Sequence, residues 1–175
     1  MILRRALLGV GVLACLLDAM AETNYVFRQR LAELHPRRLA SDAAPVAADE
    51  TEVTADWSLV VASNDPVVRH AREDLADYFQ KSMGIVLAGN GRRRIVLDVV
   101  SGTNALTSRI SVDADSIRIT GATPREVYQG CCRLEDLMNA RGRPAVRRGE
   151  RTFTRMFSPR MTHSGYEIEK FPDWH

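Results

Sequence analysis

The chain has 175 residues, enough for one ordinary domain with tails and too few for a TIM barrel, which takes roughly 200–250 residues. Hydrophobic residues make up 45% and charged residues 26%, so a core can be buried and wholesale disorder is excluded. The 24 Lys+Arg against 22 Asp+Glu leave only +2, which gives no overall polyanion-binding signature.

Arg4 and Arg5 precede an apolar stretch over residues 6–17, and Ala19-Met20-Ala21 comes next. A basic start, an apolar run of about 7–15 residues and an A-x-A site make the secretory signal pattern. The run is shorter than the ~20 residues a helix needs to cross a bilayer. Residues 1–21 therefore read as a signal peptide or N-terminal anchor. The expected location is extracytoplasmic, secreted or periplasmic, with any membrane contact made through this leader alone. A short buried helix of a cytosolic protein is the competing reading. Residues 22–56 read as a polar linker. Within it, 41–56 is Ala, Asp, Glu, Thr and Pro with almost no large apolar side chain, the composition of a flexible connection.

Trp57-Ser-Leu-Val-Val-Ala-Ser63 is an apolar run suited to a buried strand. Asp65-Pro66 then supplies an N-cap and a proline at the first helical position, where its missing N–H costs nothing. Val68, Ala71, Leu75, Phe79 and Met83 come next at helical spacing, with Gly84 as the stop. Ile85-Val86-Leu87 is a brief strand candidate before the turn Gly89-Asn90-Gly91, and residues 94–100 read as the next strand. Residues 109–113 and 116–120 alternate, placing Ile110, Val112, Ile117 and Ile119 on one face across a tight hairpin at Asp113-Ala114-Asp115. Thr123-Pro124-Arg125-Glu126 is a capping box in which Thr123 and Glu126 each satisfy the other's orphan N–H. Val127, Cys131, Leu134 and Met138 form the apolar stripe of that second helix, Gly130 lets it sit close to the sheet, and Gly142 ends it. Cys131 reads as a small core hydrophobe; the neighbouring Cys132 lies about 100° round the helix, a poor arrangement for shared chemistry. With Cys15, these three cysteines make neither a disulfide framework nor a metal pattern, and no cofactor motif is present. The order predicts a two-layer α+β domain over 57–142: a small sheet, mostly antiparallel or mixed, with two helices on one face.

Leu59-Val-Val-Ala62, the helix over 67–83 and Ile117-Arg-Ile-Thr-Gly-Ala-Thr-Pro-Arg-Glu-Val-Tyr-Gln-Gly130 run in an order that resembles a known domain. It is the non-catalytic N-terminal α+β domain that precedes the barrel in bacterial β-N-acetylhexosaminidases and α-glucuronidases. Residues 116–138 resemble that domain's last strand and helix, and 151–166 resemble the segment leading into the first barrel strand. The resemblance implies a partner, a TIM-barrel catalytic domain normally in the same chain, and a role in carbohydrate metabolism. It also implies that 143–175 is an extension truncated at the start of that barrel. No catalytic residue is carried over, because the family's carboxylates come from strand ends that this sequence does not reach. Glycoside hydrolysis needs two carboxyl groups across a sugar.

Two substrate-binding candidates remain. Phe157-Ser-Pro-Arg160 is similar to a family stretch whose Arg hydrogen-bonds sugar hydroxyls, although Met161 stands where the family has Gly. His163 lies in the same stretch, without a partner at ligand or triad spacing. A different class of reading starts from the arginines at 141, 143, 147, 148, 151, 155 and 160, set against Glu150 alone. Arginine forks suit phosphates and acidic sugars. Few aromatics are there to stack bases, and no helix-turn-helix, RRM or KH motif occurs, so nucleic acid is not expected as a partner. The apolar residues Met156, Phe157, Met161, Tyr166, Phe171 and Trp174 have little left in the chain to bury them. The expectation is an accessory domain of an exported glycoside hydrolase, present as a fragment; the alternative is a stand-alone exported module for carbohydrate or protein contact.

Overall fold

The computed structural model describes residues 33–102 and 106–155. The chain divides into two compact units, Met1–Pro36 and Arg37–His175. The leader expected at 1–21 lies outside the described residues, and so do the six apolar residues named above and both sugar-contact candidates. The architecture is that of the second unit.

Strand β1 (Glu50–Glu52) comes first, then β2 (Trp57–Val61), helix α1 (Pro66–Lys81), β3 (Arg93–Val99), β4 (Thr107–Val112) and β5 (Ser116–Gly121). Helix α2 (Pro124–Arg141), β6 (Ala145–Arg147) and β7 (Gly149–Thr154) complete the series. The main sheet has five strands in the order β2-β3-β5-β4-β7. Its β2, β3 and β5 run parallel, while β4 is antiparallel to both β5 and β7. The sheet is therefore mixed. A parallel β2–β3 pair needs a crossover, and α1 supplies it.

Alternation on the strands produces one dry face. Leu59, Ile95, Leu97, Ile110, Val112, Ile117 and Ile119 are buried. Between them, Val60, Arg94, Arg109 and Arg118 are exposed. Both helices cover the dry side: α2 lies against β3, β4 and β5, and α1 packs beside α2 and against β2. The expected stripe of α1, Val68, Ala71, Leu75 and Phe79, is buried together with Tyr78. Each such large side chain contributes roughly 1.5–3 kcal/mol of burial. This is the two-layer α+β architecture with two helices on one face of a mixed sheet.

The start of α1 is as its sequence dictates: Asp65 Oδ1 accepts from the Val67 N–H at 2.8 Å, and Pro66 takes the first position. The end differs slightly. Helical bonding stops at Lys81 with Ser82 as C-cap, and Gly84, at φ 72°, turns the chain two residues later. Helix α2 ends where expected, at Gly142 with φ 68°. That left-handed conformation favours glycine, and a Cβ there would lie 2.9 Å from the Ala40 Cβ.

Three expectations need correction. Ile85-Val86-Leu87 forms no strand; only Ala88 makes a single bridge to Ser58. The Ala88 N–H bonds both the Ala55 and Trp57 carbonyls, which ties the segment down at one point and leaves Val86 exposed. Second, ordered structure runs beyond 57–142 on both sides. β1 lies inside the stretch expected to be a linker and pairs antiparallel with β6, while β7, in the expected extension, forms an edge strand of the main sheet. Third, the capping box is half formed. Thr123 Oγ1 accepts from the Glu126 N–H at 3.4 Å, but the Glu126 carboxylate turns away from the cap to bond Arg155.

Candidate functional site

Polar chemistry gathers at three places in this frame. The first is the seam between the helices. Tyr128 donates to Asp74 Oδ2 at 3.2 Å, and Tyr78 donates to Asn139 Oδ1 at 3.0 Å. Glu135 stands in the same seam, with its Oε1 buried and without a hydrogen-bond partner among the described residues. Burial, with the charges of Asp74 and Asp136 adding to it, pushes the Glu135 carboxyl up to about 8. Burial and then Glu135 push the Cys132 thiol up to about 11, and burial pushes Cys131 well above the usual thiol range. Both sulfurs are thiols at neutral pH, which is the wrong state for a nucleophile or a metal ligand. Cys131 is core, as its spacing predicts.

The second place is a clasp between the acidic stretch and the arginines. Arg141 Nε reaches Glu50 Oε1 at 2.8 Å, and its Nη2 reaches Glu50 Oε2 at 3.1 Å and the Pro45 carbonyl at 2.7 Å. Arg143 pairs with Glu52 at 2.9 Å and bonds the Ala44 carbonyl at 2.8 Å. Arg147 pairs with Asp49 at 3.0 Å, and Arg148 bonds Thr51 Oγ1 at 3.0 Å. Hydrogen bonding from Arg141, then from the Ala47 N–H, holds the Glu50 carboxyl down at about 2. The arginine cluster that suggested a polyanion partner is thus largely engaged by the chain's own carboxylates and carbonyls. Composition alone hid this, because pairs some 90 positions apart leave no local trace; the signal available was an acidic run at 42–56 and a basic run at 141–160.

The third place is the N-terminal end of α2. Glu126 Oε1 accepts from Arg155 Nε at 2.7 Å and from Nη2 at 2.5 Å, in a pair whose side chains are 1% and 9% exposed. Sequence reasoning assigned Glu126 to the cap and left Arg155 within the basic cluster, so this pair was missed.

Among the described residues, cavities lie elsewhere. One, about 300 Å³, sits on the outer sheet face among Thr107, Arg109, Ser111, Arg118, Thr120 and Glu150. Its arginines already face carboxylates, Arg109 with Glu150 at 3.5 Å and Arg118 with Asp98 at 3.7 Å. Another, about 430 Å³, is an open hollow near Leu39, Val53, Met83, Val86 and Pro144. Among the described residues, no group of three His, Cys, Asp or Glu could hold a metal ion. No helix among them is long and apolar enough to cross a membrane. Arg160 and His163 lie outside the described residues, so the structure does not place them against these features.

Solved structures share this arrangement. A GH20 β-N-acetylhexosaminidase from Streptomyces coelicolor A3(2) superposes with a TM-score of 0.54 at 18% identity, over 72% of this chain and 28% of that one. A mutant Streptomyces plicatus β-hexosaminidase in complex with its product, GlcNAc, gives 0.53 at 16% identity, over 70% and 29%. The fold is like one found within GH20 β-hexosaminidases. The chain spans less than a third of the length of these enzymes. No protein-family model matches the sequence, and no curated protein does. In this hexosaminidase-like fold Glu50, Glu52 and Glu126 are paired with arginines and Glu135 is wedged between helices. Neither cavity brings two carboxylates across a space for sugar. What the geometry does well is hold chain segments together.

Proposed function

We propose that this chain is the non-catalytic N-terminal accessory domain of an exported glycoside hydrolase, standing ahead of a catalytic barrel in a longer natural protein. One observation carries the reading: the fold likeness takes in over two thirds of this chain but only 28–29% of the hexosaminidases it matches. That coverage is what a domain with a larger neighbour to pack against would give. The N-terminal position comes from the resemblance of 151–166 to the approach to a first barrel strand, and the hexosaminidase side of the resemblance is favoured over the α-glucuronidase side. Arg160 and His163 would then be the candidate sugar contacts. Export rests on Arg4-Arg5, the apolar run and Ala19-Met20-Ala21.

The test is the natural gene product, captured from its host with an antibody to residues 57–142 and weighed intact. A product longer by a barrel, with an N-terminus near residue 22, is expected. A product of this length would overturn the accessory reading in favour of a stand-alone module. Hydrolysis of an aryl N-acetylglucosaminide by the 175-residue chain alone would overturn the non-catalytic assignment.

A further inference from the structure

We propose that the cavity on the outer face of the main sheet is a binding site for a small hydroxylated carboxylate, a sugar acid in size and charge. Strands β4 and β5 build it. Their register sets Arg109 opposite Thr120 and Ser111 opposite Arg118. Alternation sends the buried Ile110 and Ile119 to the helices, so those four side chains stand together on the other face. The result is a two-by-two patch with guanidiniums on one diagonal and hydroxyls on the other. It surrounds a cavity of about 300 Å³ that Thr107 and Glu150 also line.

Diagonal neighbours on adjacent strands are ~7–8 Å apart, within reach of each other for side chains as long as arginine. The two guanidiniums repel across that gap, and an oxyanion held between them replaces the repulsion with two charge-assisted contacts. The carboxylates already nearby do not fill that role. Arg109 Nε stands 3.5 Å from Glu150 and Arg118 Nη1 stands 3.7 Å from Asp98, and both arginine side chains are more than half exposed. Those distances exceed the ~2.7–3.2 Å of an N–H···O bond. In the clasp, by contrast, Arg141 and Arg143 hold Glu50 and Glu52 at 2.8 Å and 2.9 Å.

The lining selects the ligand. Two arginines and one glutamate leave +1 facing the cavity, which matches a monoanion and disfavours a phosphate dianion. The hydroxyls of Thr107, Ser111 and Thr120 both donate and accept, as sugar hydroxyls require. Among the described residues no aromatic side chain lines the cavity, so a nucleobase has nothing to stack on. The volume is at the small end of ligand sites, room for one sugar unit. The inference does not rest on the accessory-domain reading, because it concerns binding by this chain alone on the face turned away from both helices.

An NMR titration of the ¹⁵N-labelled 175-residue chain tests it with three probes: galacturonate, galactose and inorganic sulfate. Galacturonate should bind saturably at low salt with a Kd on the order of 1 mM, shifting the amides of β4 and β5 and the Nε–H signals of Arg109 and Arg118. Arg109→Gln and Arg118→Gln should each weaken binding by about tenfold or more. Glu150→Gln should tighten it severalfold, because it removes a carboxylate that both competes for Arg109 and repels the ligand. All three positions are exposed, and unchanged shifts of the core amides report that each variant is folded. Lack of saturation by about 50 mM galacturonate would overturn the proposal. So would an equal response to galactose, sulfate bound as tightly as galacturonate, or a Kd that neither arginine variant changes.

Discussion

Gly130 carries a contact that can be tested in isolation. A Cβ at this position would lie 2.5 Å from Ile119 Cγ2, where ordinary carbon contacts run about 3.5–4.0 Å. Helix or sheet must therefore give by about 1 Å. Ile119 cannot recede easily, because it is fully buried on β5, a strand paired on both sides. Gly130→Ala in α2 gains about 1 kcal/mol of helix propensity, whereas forcing a methyl to within 2.5 Å of a fixed neighbour in a filled core costs about 2–3 kcal/mol, the upper part of the overpacking range. The expected balance is a loss of about 1–2 kcal/mol, or roughly 4–10 °C in Tm for a domain of this size. Urea and thermal melts monitored by far-UV circular dichroism measure it. Ile119→Leu removes Cγ2 while conserving volume, so Gly130→Ala with Ile119→Leu should recover most of the loss as a coupling term of about 1 kcal/mol. If Gly130→Ala alone is as stable as the parent or more so, the close approach of α2 to β5 is wrong and helix propensity decides.

The polar constellations give three further outcomes. Glu135, with an ordinary value of 4.5 and about 8 in the fold, holds a proton in the native state that the unfolded chain lacks between those pH values. Stability should fall as pH rises from about 4.5 to 8 and then level off. Glu135→Gln should flatten that slope and, after allowance for partial solvent access, gain about 1–2 kcal/mol at pH 9; a parent and variant with parallel pH profiles would refute this. Glu50 is shifted the other way, so the clasp is at full strength above pH 4.5 and is lost as pH falls toward 2. Glu50→Gln at neutral pH should raise amide exchange over 44–52 by about tenfold without touching β3, and an unchanged rate would show that the clasp holds nothing. Limited proteolysis should leave a resistant fragment extending to about residue 155, because β7 is laddered onto β4 through Thr154; trimming back to 142 would contradict that pairing.

Much of the fold was legible in the residues themselves, wherever the deciding partner lies within a few positions. Thr123-Pro124 and Gly142 bound α2 because a cap acts on the next three residues and a left-handed stop on the turn before it. Alternation in β4 and β5, and the i, i+3, i+4 stripes of both helices, identified buried side chains because pleat and helix pitch are local geometry. A functional class enters only through a resemblance, and the solved structures that match show likeness of fold alone. Tertiary structure alone decided the rest. It made the sheet mixed by bringing β3 beside β5, closed the edge with β7, and folded the acidic stretch onto arginines 91 positions away. It also turned Glu126 from its cap to Arg155, 29 residues on. Complementary charges state only that a partner is wanted; which of the available partners is reached depends on where the backbone returns, and that is a property of the whole packed chain.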